Sequence, residues 1–272
     1  MLLKIFAGLS AVLSVVIFIC MDAALWVLPL LWAGCMLACL LLAVGFLVLV
    51  SAPIDTHKPQ HEDSRFYRAI MYLYIELIIQ LVGLKVDTGG LERIPTGRRF
   101  LLVCNHQSEA DPGILHHYFR KSQLAFISKK ENENMIFVGK FMHKTLCQLV
   151  NRENDREALK SIIKCIQMIK EDKVSVCVFP EGGILEKGKL SHFRPGVFKI
   201  AQKTKVPIVV CTLKGTSDVI PNLKKLKRTR VRLHLVDILP DWELEGKTTV
   251  EIAEQVHAMM LSDLGEEYRL EA

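Results

Sequence analysis

The chain has 272 residues, a formal net charge of +6, and a composition in which half of the residues are hydrophobic. This length fits one large domain, or a smaller domain with an appendage. Its eight cysteines lack the paired spacing beside histidines that zinc sites use, which excludes zinc-finger proteins and indicates small buried thiols in a reducing compartment.

The first 53 residues differ from the rest of the chain, because only Lys4 and Asp22 are charged there. Two apolar runs, at about 5–21 and 23–50, are near the roughly 20 residues that a membrane-spanning helix needs. Residues 1–53 are therefore predicted to form a transmembrane helical hairpin or membrane anchor. A cleaved signal peptide is the competing interpretation, but the apolar character continues far beyond a normal signal core, and no Ala-x-Ala site stands out.

The charges beside this segment predict its orientation. If Asp22 lies in the turn of a hairpin, Lys4 shares one side of the membrane with Lys58, Arg65 and Arg68. The positive-inside rule makes that side cytoplasmic.

The net charge hides a strong polarity along the chain. Residues 241–272 carry a net charge of −7, so residues 54–240 carry +13. A basic region behind a membrane anchor predicts a lipid bilayer with anionic head groups as a partner. Nucleic acid is the other usual partner of such charge, but no zinc finger, aromatic RNA-binding signature or basic heptad supports it.

A polar segment, 54–64, is predicted to be a linker. Residues 65–84 are rich in apolar and aromatic side chains, with Arg68, Glu76 and Gln80 interrupting them. Those three polar residues argue against a third membrane span. We expect a helix that lies on the membrane or against the following domain, and a core helix is the alternative.

From residue 85 to residue 272 the pattern alternates between strands and helices, which predicts an α/β domain with a largely parallel sheet flanked by helices. The predicted strands are 100–104, 124–128, 174–179, 208–212 and 231–236. The predicted helices are 111–120, 154–170, 195–204 and 248–264.

His106 directly follows the first of these strands, and Asp111 stands five residues later. Imidazole titrates near neutral pH, and a carboxylate can fix its tautomer and stabilise the imidazolium, so the pair is a candidate general base. Asp111 also precedes Pro112, as at a helix start with Asp at the N-cap and Pro at the first helical position. Capping alone is therefore the alternative role of Asp111.

A second group of polar residues follows the strand 174–179, in the turn Pro180-Glu181-Gly182-Gly183. The glycines let the backbone approach a ligand, and Glu181 can hold hydroxyl or amine groups. The same four residues also suit an ordinary turn. Between the two groups Arg152 is a candidate for bidentate phosphate binding or a solvated surface charge.

Taken together, these blocks resemble the glycerolipid acyltransferase superfamily, specifically the 1-acyl-sn-glycerol-3-phosphate acyltransferases, over about residues 85–240. Asn105-His106-Gln107-Ser108-Glu109-Ala110-Asp111 matches the first family motif, Asn-His-x4-Asp. The stretch from Lys129 through Gly139 to Arg152 is similar to the second. Phe179-Pro180-Glu181-Gly182 is similar to the third, and Val206-Pro207-Ile208-Val209 to the fourth.

The resemblance implies that residues 85–272 form an acyltransferase domain that moves a fatty acyl group to the sn-2 hydroxyl of lysophosphatidate. The donor is a thioester of coenzyme A or acyl carrier protein, acting as co-substrate, and no cofactor, metal or covalent intermediate is expected. His106 would take the hydroxyl proton and Asp111 would orient His106. The resemblance also implies substrate-binding positions, which are Asn105, Lys129, Gly139, Arg152, Pro180, Glu181, Gly182 and Gly183.

Two of the motifs depart from the family pattern. Gly183 and Ile184 occupy the usual Thr-Arg, so one phosphate-binding cation is missing, and Val210 replaces the second proline of the fourth motif. Arg152, Lys129, Lys187 or Arg194 are candidates to compensate. The alternatives are an acyltransferase for a different acceptor, such as glycerol 3-phosphate or another lysophospholipid, and a non-catalytic lipid-binding protein of the same fold. A serine hydrolase is disfavoured, because the chain has no Gly-x-Ser-x-Gly elbow.

Overall fold

The computed structural model describes residues 1–21, 24–151 and 155–270. The helices in these ranges are α1 (Leu2–Met21), α2 (Leu28–Ser51), α3 (Arg65–Leu81), α4 (Asp111–Tyr118), α5 (Val138–Lys144), α6 (Asp155–Lys170), α7 (Lys199–Thr204), α8 (Val219–Lys224) and α9 (Thr249–Leu264). The strands are β1 (Lys85–Gly89), β2 (Leu101–Cys104), β3 (Leu124–Lys129), β4 (Gln148–Val150), β5 (Ser175–Val178), β6 (Ile208–Lys214) and β7 (Arg230–Leu239).

In the described part of the chain, the strands form one seven-stranded sheet in the order β1-β7-β6-β2-β5-β3-β4. All neighbours are parallel except β6 and β7, so the predicted largely parallel α/β sheet is confirmed. Because β2, β5, β3 and β4 are parallel, their carboxyl ends share one edge of the sheet, which we call the active-site edge.

Alternate residues of the central strands face two separate cores. Leu101, Val103, Val176 and Val178 pack against α6, α7 and α9 on one face. Their neighbours Leu102, Cys104 and Cys177 pack against α4 on the other face. A sheet covered on both faces explains why its strands are continuous apolar runs.

The hairpin α1–α2 consists of two helices that are long and apolar enough to cross a membrane. Most of their large apolar side chains are exposed, whereas Ser10 is buried between the helices with its hydroxyl 3.7 Å from Cys39 Sγ. The N-terminal ammonium pairs with Glu76, and Lys140 Nζ donates to the carbonyl of Ser51 at 3.0 Å. Both ends of the hairpin therefore contact the rest of the chain, while Asp22, the predicted turn residue, lies outside the described residues.

Helix α3 crosses the sheet domain along the strand direction and is held there by Arg68. This side chain is buried and pairs with Asp63 at 2.6 Å. It also donates to the carbonyls of Leu124, at the start of β3, and Thr145, just after α5. The predicted helix over 65–84 thus packs against the domain, and its polar interruption Arg68 serves as a tether instead of facing solvent.

The predicted strands and helices leave out β1, β4, α5 and α8, and α4 begins differently from the prediction. Strand β1 was not predicted, because its five residues mix polar side chains with only one large apolar one, as an edge strand does. Helix α5 is too short to show a period. Helix α4 has Ala110 at its N-cap, so Asp111 is the first helical residue and not the cap.

Candidate active site

The candidate site lies at the active-site edge, where β2 and β5 end side by side. Val103 of β2 pairs with Val178 of β5, so the segments that begin at Asn105 and Phe179 leave the sheet together. Ligands of open α/β sheets bind outside the carboxyl ends of the strands.

His106 and Asp111 meet as the sequence predicted. His106 Nδ1 lies 2.9 Å from Asp111 Oδ2. The carboxylate is fully buried, whereas the imidazole side chain is 16% exposed. Because the Nδ1 proton faces the carboxylate, Nε2 is the ring nitrogen that can accept a proton from a substrate.

A single oxygen of Asp111 makes all of these contacts. Oδ2 also accepts the backbone N–H groups of Gln107 at 2.6 Å and Ser108 at 2.8 Å. Oδ1 is buried and has no hydrogen-bond partner among the described residues. The turn folds tightly enough to bring both kinds of donor to one atom.

Phe179 fixes the plane of the imidazole. The two rings stack with their centroids 4.2 Å apart and their planes 14° apart. The contact follows from the pairing of β2 with β5, which carries Phe179 to the level of the His106 loop. The ring of His106 is thus held by a carboxylate at its edge and an aromatic ring on its face.

Glu181 joins the two motifs through the backbone. Its Oε1 accepts the N–H of His106 at 2.6 Å, and its Oε2 accepts the N–H of Ser191 at 2.9 Å. Burial raises the pKa of Glu181 to about 7, although the two N–H donors favour the charged form. Both carboxylate oxygens are therefore engaged in positioning the loops around His106.

Gln107 makes a second bridge between the same loops. Its amide accepts the N–H of Gly188 at 2.6 Å and donates to the carbonyl of Lys189 at 2.7 Å. The side chain is 2% exposed. The loop 183–190 is thereby tied to the loop that carries His106.

Gly182 makes room for an arginine. Its φ is +76°, and a Cβ at this position would lie 2.7 Å from Arg194 Nε. The backbone N–H of Arg194 donates to the carbonyl of Pro180 at 2.8 Å. The exposed guanidinium of Arg194 is thus held against the turn that the sequence analysis assigned to substrate.

Asn105 is fully buried, and its amide pairs with the backbone of Leu213 in both directions, at 2.8 Å and 2.7 Å. These bonds extend the pairing of β2 with β6 beyond the last strand residue. The observed contacts place Asn105 in the support of the His106 loop, and its predicted contact with substrate stays a prediction.

The remaining predicted residues lie around this centre. Lys129 is exposed at the end of β3, and Gly139 is buried in α5, where a Cβ would collide with the carbonyl of Glu133. Pro180 is buried and Gly183 partly exposed in the second turn. Arg152 lies outside the described residues. The structure therefore joins His106, Asp111 and Glu181 by hydrogen bonds, and it does not bring Asn105 or Gly139 to their side chains.

Phe179, Gln107 and Ser191 were missed as site residues. Phe179 and Gln107 lie inside the quoted motifs, so strand-end position was a usable signal for both. Ser191 contributes only its backbone N–H, and such a contact cannot be predicted from the type of residue. Cys20 is exposed and Cys35 partly exposed, so the prediction of buried thiols is wrong for these two and confirmed for the other six cysteines. Burial raises the pKa of Cys104, Cys177 and Cys211.

Comparisons with known proteins indicate the family of this chain. Residues 85–214 match the family model described as Acyltransferase. A Mycoplasma pneumoniae protein named "probable 1-acyl-sn-glycerol-3-phosphate acyltransferase" is 30% identical over 200 residues, covering 71% of this chain and 74% of that protein. The 1-acyl-sn-glycerol-3-phosphate acyltransferase of Saccharomyces cerevisiae is 26% identical over 213 residues, covering 77% and 67%.

The fold also has a solved counterpart. The crystal structure of the 1-acyl-sn-glycerophosphate acyltransferase of Thermotoga maritima superposes with a TM-score of 0.63 at 22% identity, covering 84% of this chain and 90% of that one. From the Mycoplasma relative and the family model, this chain belongs to the 1-acyl-sn-glycerol-3-phosphate acyltransferase family.

Proposed function

We propose that this protein transfers a fatty acyl group from a thioester donor to the sn-2 hydroxyl of lysophosphatidate, giving phosphatidate. The observation that carries the proposal is the His106–Asp111 pair, in which Nδ1 faces a buried carboxylate at 2.9 Å and leaves Nε2 for the substrate. The names of the relatives indicate lysophosphatidate as the substrate. The His106–Asp111 pair can act as the base that activates its hydroxyl group.

The reaction needs one base and no protein nucleophile. Nε2 of His106 takes the proton of the sn-2 hydroxyl while the oxygen attacks the thioester carbonyl. The tetrahedral intermediate then expels the thiolate, which takes the proton from the imidazolium. Asp111 stabilises that imidazolium, and its buried position strengthens the interaction.

The tetrahedral oxyanion needs hydrogen-bond donors. The N–H groups of His106, Gln107 and Ser108 are already bound to Glu181 and Asp111. We therefore assign the oxyanion contact to the second turn, where Gly183 follows Gly182 at the same edge of the sheet.

Arg194 supplies the phosphate-binding cation that is missing at position 184, where the family usually has arginine. Its guanidinium rests against Gly182, within the turn beside His106, and it is exposed to solvent. A planar guanidinium suits bidentate binding of the acceptor phosphate. This position supports lysophosphatidate as the acceptor despite Ile184.

We further propose that the hairpin α1–α2 is inserted in the bilayer with the catalytic domain on the cytoplasmic face. The contacts at Met1 and Ser51 support a hairpin with both ends on one side. Because Arg68 is buried and paired with Asp63, the charge bias that favours the cytoplasm comes from Lys4, Lys58 and Arg65.

The deciding experiment is acyl transfer by the full-length protein in lipid vesicles. Defined acceptors and a labelled acyl thioester are supplied, and products are identified by mass spectrometry. Lysophosphatidate is expected to give phosphatidate, and His106→Ala is expected to abolish the product, while His57→Ala, in the exposed linker, keeps it. Full turnover by the His106→Ala protein, or acylation of glycerol 3-phosphate alone, would reject the proposal.

A further inference from the structure

Residues 219–230, which we call the basic segment, have an unusual surface. Three large apolar side chains at a spacing of three, Ile220, Leu223 and Leu226, are all exposed. The segment has no acidic residue, and its basic residues, all exposed, are Lys224, Lys225, Lys227, Arg228 and Arg230. No ion pair within 4.0 Å neutralises Lys224, Lys225, Lys227 or Arg228 in the described ranges of the chain.

Leu226 is the most exposed large apolar side chain of the described chain, at 93%. It also has a φ of +52° just after α8, where the N–H of Lys227 donates to the carbonyl of Asn222. Glycine or asparagine normally ends a helix in this conformation. A leucine at this position has an unfavourable backbone conformation and exposes apolar surface to water, and it does not pack in the core. Its apolar surface is therefore suited to a partner outside the chain.

The pairing of the strands places the basic segment at the active-site edge. Cys211 of β6 pairs with Cys104, the last residue of β2, so β6 ends where His106 begins. Strand β7 is antiparallel to β6, with Arg232 opposite Lys214. The start of β7, and the basic segment before it, therefore lie at the edge that carries His106.

The hairpin points toward the same edge. Tyr74 of α3 donates to the carbonyl of Ala43, while the later α2 residue Ser51 contacts Lys140. Phe141, beside Lys140, contacts the ring of Tyr67 edge to face, with the ring centroids 5.8 Å apart. Because Tyr67 lies near the start of α3, α2 runs antiparallel to α3. Helix α3 ends at the active-site edge, and α2 begins about 22 Å before Ala43 at 1.5 Å per residue, which carries the hairpin tip beyond that edge.

We propose that the basic segment is a second membrane contact, which docks on anionic lipid head groups with Leu223 and Leu226 in the interface. Lysine and arginine side chains bind anionic head groups, and apolar side chains between them enter the adjoining acyl region. The contact holds the active-site edge against the bilayer from which a single-chain lipid enters. It rests on the proposed insertion of the hairpin, which the experiment tests separately.

Three single-tryptophan forms of the full-length protein, in vesicles of brominated phospholipid, test this contact. The first keeps Trp26 of the hairpin, the second keeps Trp242, and the third carries Leu226→Trp, with the other native tryptophans changed to phenylalanine. Trp242 is 68% exposed and follows β7, whose end pairs with the start of β6, so it lies at the opposite edge. Bromine is expected to quench the Trp26 and Leu226→Trp proteins and to leave Trp242 unquenched.

Charge dependence identifies the lipid. Quenching of the Leu226→Trp protein is expected to rise when phosphatidylglycerol replaces phosphatidylcholine. It is expected to fall back when Lys224, Lys225, Lys227 and Arg228 are changed to glutamine. Matched controls are glutamine changes at exposed lysines of the opposite edge, namely Lys121, Lys170, Lys203 and Lys205.

The outcomes separate the two proposals. A quenched Trp26 with an unquenched Leu226→Trp protein overturns the second membrane contact and leaves the anchored acyltransferase intact. An emission at position 226 that responds to acyl carrier protein and not to brominated lipid also overturns it, and assigns the segment to an acidic protein partner. An unquenched Trp26 contradicts the anchoring itself.

Discussion

The backbone N–H of His106 donates to Oε1 of Glu181 at 2.6 Å, across 75 residues of sequence. Glu181, in the third family motif, therefore positions His106, in the first. This bond, with that from the N–H of Ser191 to Oε2, makes Glu181 part of the framework that holds the base.

Asp111→Asn is expected to lower kcat by roughly 10²–10⁴-fold with little change in KM, because the amide no longer selects the Nδ1–H tautomer or stabilises imidazolium. Steady-state acyl transfer in vesicles measures both constants. Glu109→Gln, an exposed carboxylate in the same loop, is the matched control and keeps near wild-type rates. Equal losses in the two variants would show that the loop tolerates no change and would remove the special role of Asp111.

Glu181→Gln is expected to lower kcat more than it raises KM, because one backbone N–H, of His106 or Ser191, loses its acceptor and the base loop loosens. The dependence of the free energy of unfolding on pH tests whether the carboxyl group of Glu181 is buried. The folded pKa of about 7 lies above the ordinary 4.5, so the folded state binds more protons between these values. The contribution of Glu181 to the free energy of unfolding therefore falls as pH rises from about 4.5 to about 7, by at most about 3 kcal/mol.

Thermal unfolding of wild type and Glu181→Gln between pH 4.5 and 8 checks the sign. The variant is expected to lose this falling contribution, so its stability relative to wild type improves as pH rises. A difference that stays constant with pH would contradict the raised pKa of Glu181.

Arg194→Gln is expected to raise KM for lysophosphatidate by roughly tenfold to a hundredfold, the loss of a charged hydrogen bond, while kcat changes little. Arg194→Lys should recover part of the affinity, because the charge returns without the bidentate geometry. Lys187→Gln, on the exposed loop of the same motif, serves as control. An unchanged KM in the Arg194→Gln protein would move the phosphate contact elsewhere.

Arg68→Met is expected to destabilise the protein by about 3–5 kcal/mol, because it leaves Asp63 buried and unpaired and frees the carbonyls of Leu124 and Thr145. Denaturant unfolding of the detergent-solubilised protein measures this loss. Lys58→Met removes an exposed pair with Asp55 at 3.9 Å and is expected to change stability by less than about 1 kcal/mol. Similar values for the two variants would mean that α3 is not tethered by Arg68.

Local patterns were sufficient for much of this protein. The apolar hairpin segment, each single strand or helix of the alternating pattern, and His106 with Asp111 between a strand and a helix start are all encoded by short stretches of consecutive residues. Hydrophobic periodicity and strand–turn–helix geometry act over that range, so they can be read without knowing the fold. Strand β1 and helix α5 were not predicted, because an edge strand and a two-turn helix are too short or too polar to show a clear hydrophobic periodicity.

Tertiary structure alone decided what the other site residues do. Glu181 accepts a hydrogen bond from the backbone of His106, and Arg194 lies against Gly182, because β5 is a neighbour of β2. Asn105 pairs with Leu213 because β6 is the other neighbour of β2. Arg68 is a buried tether instead of a membrane-side charge, because α3 packs where β3 begins and α5 ends. Burial and strand order are properties of the assembled chain, and a residue's type and spacing do not contain them.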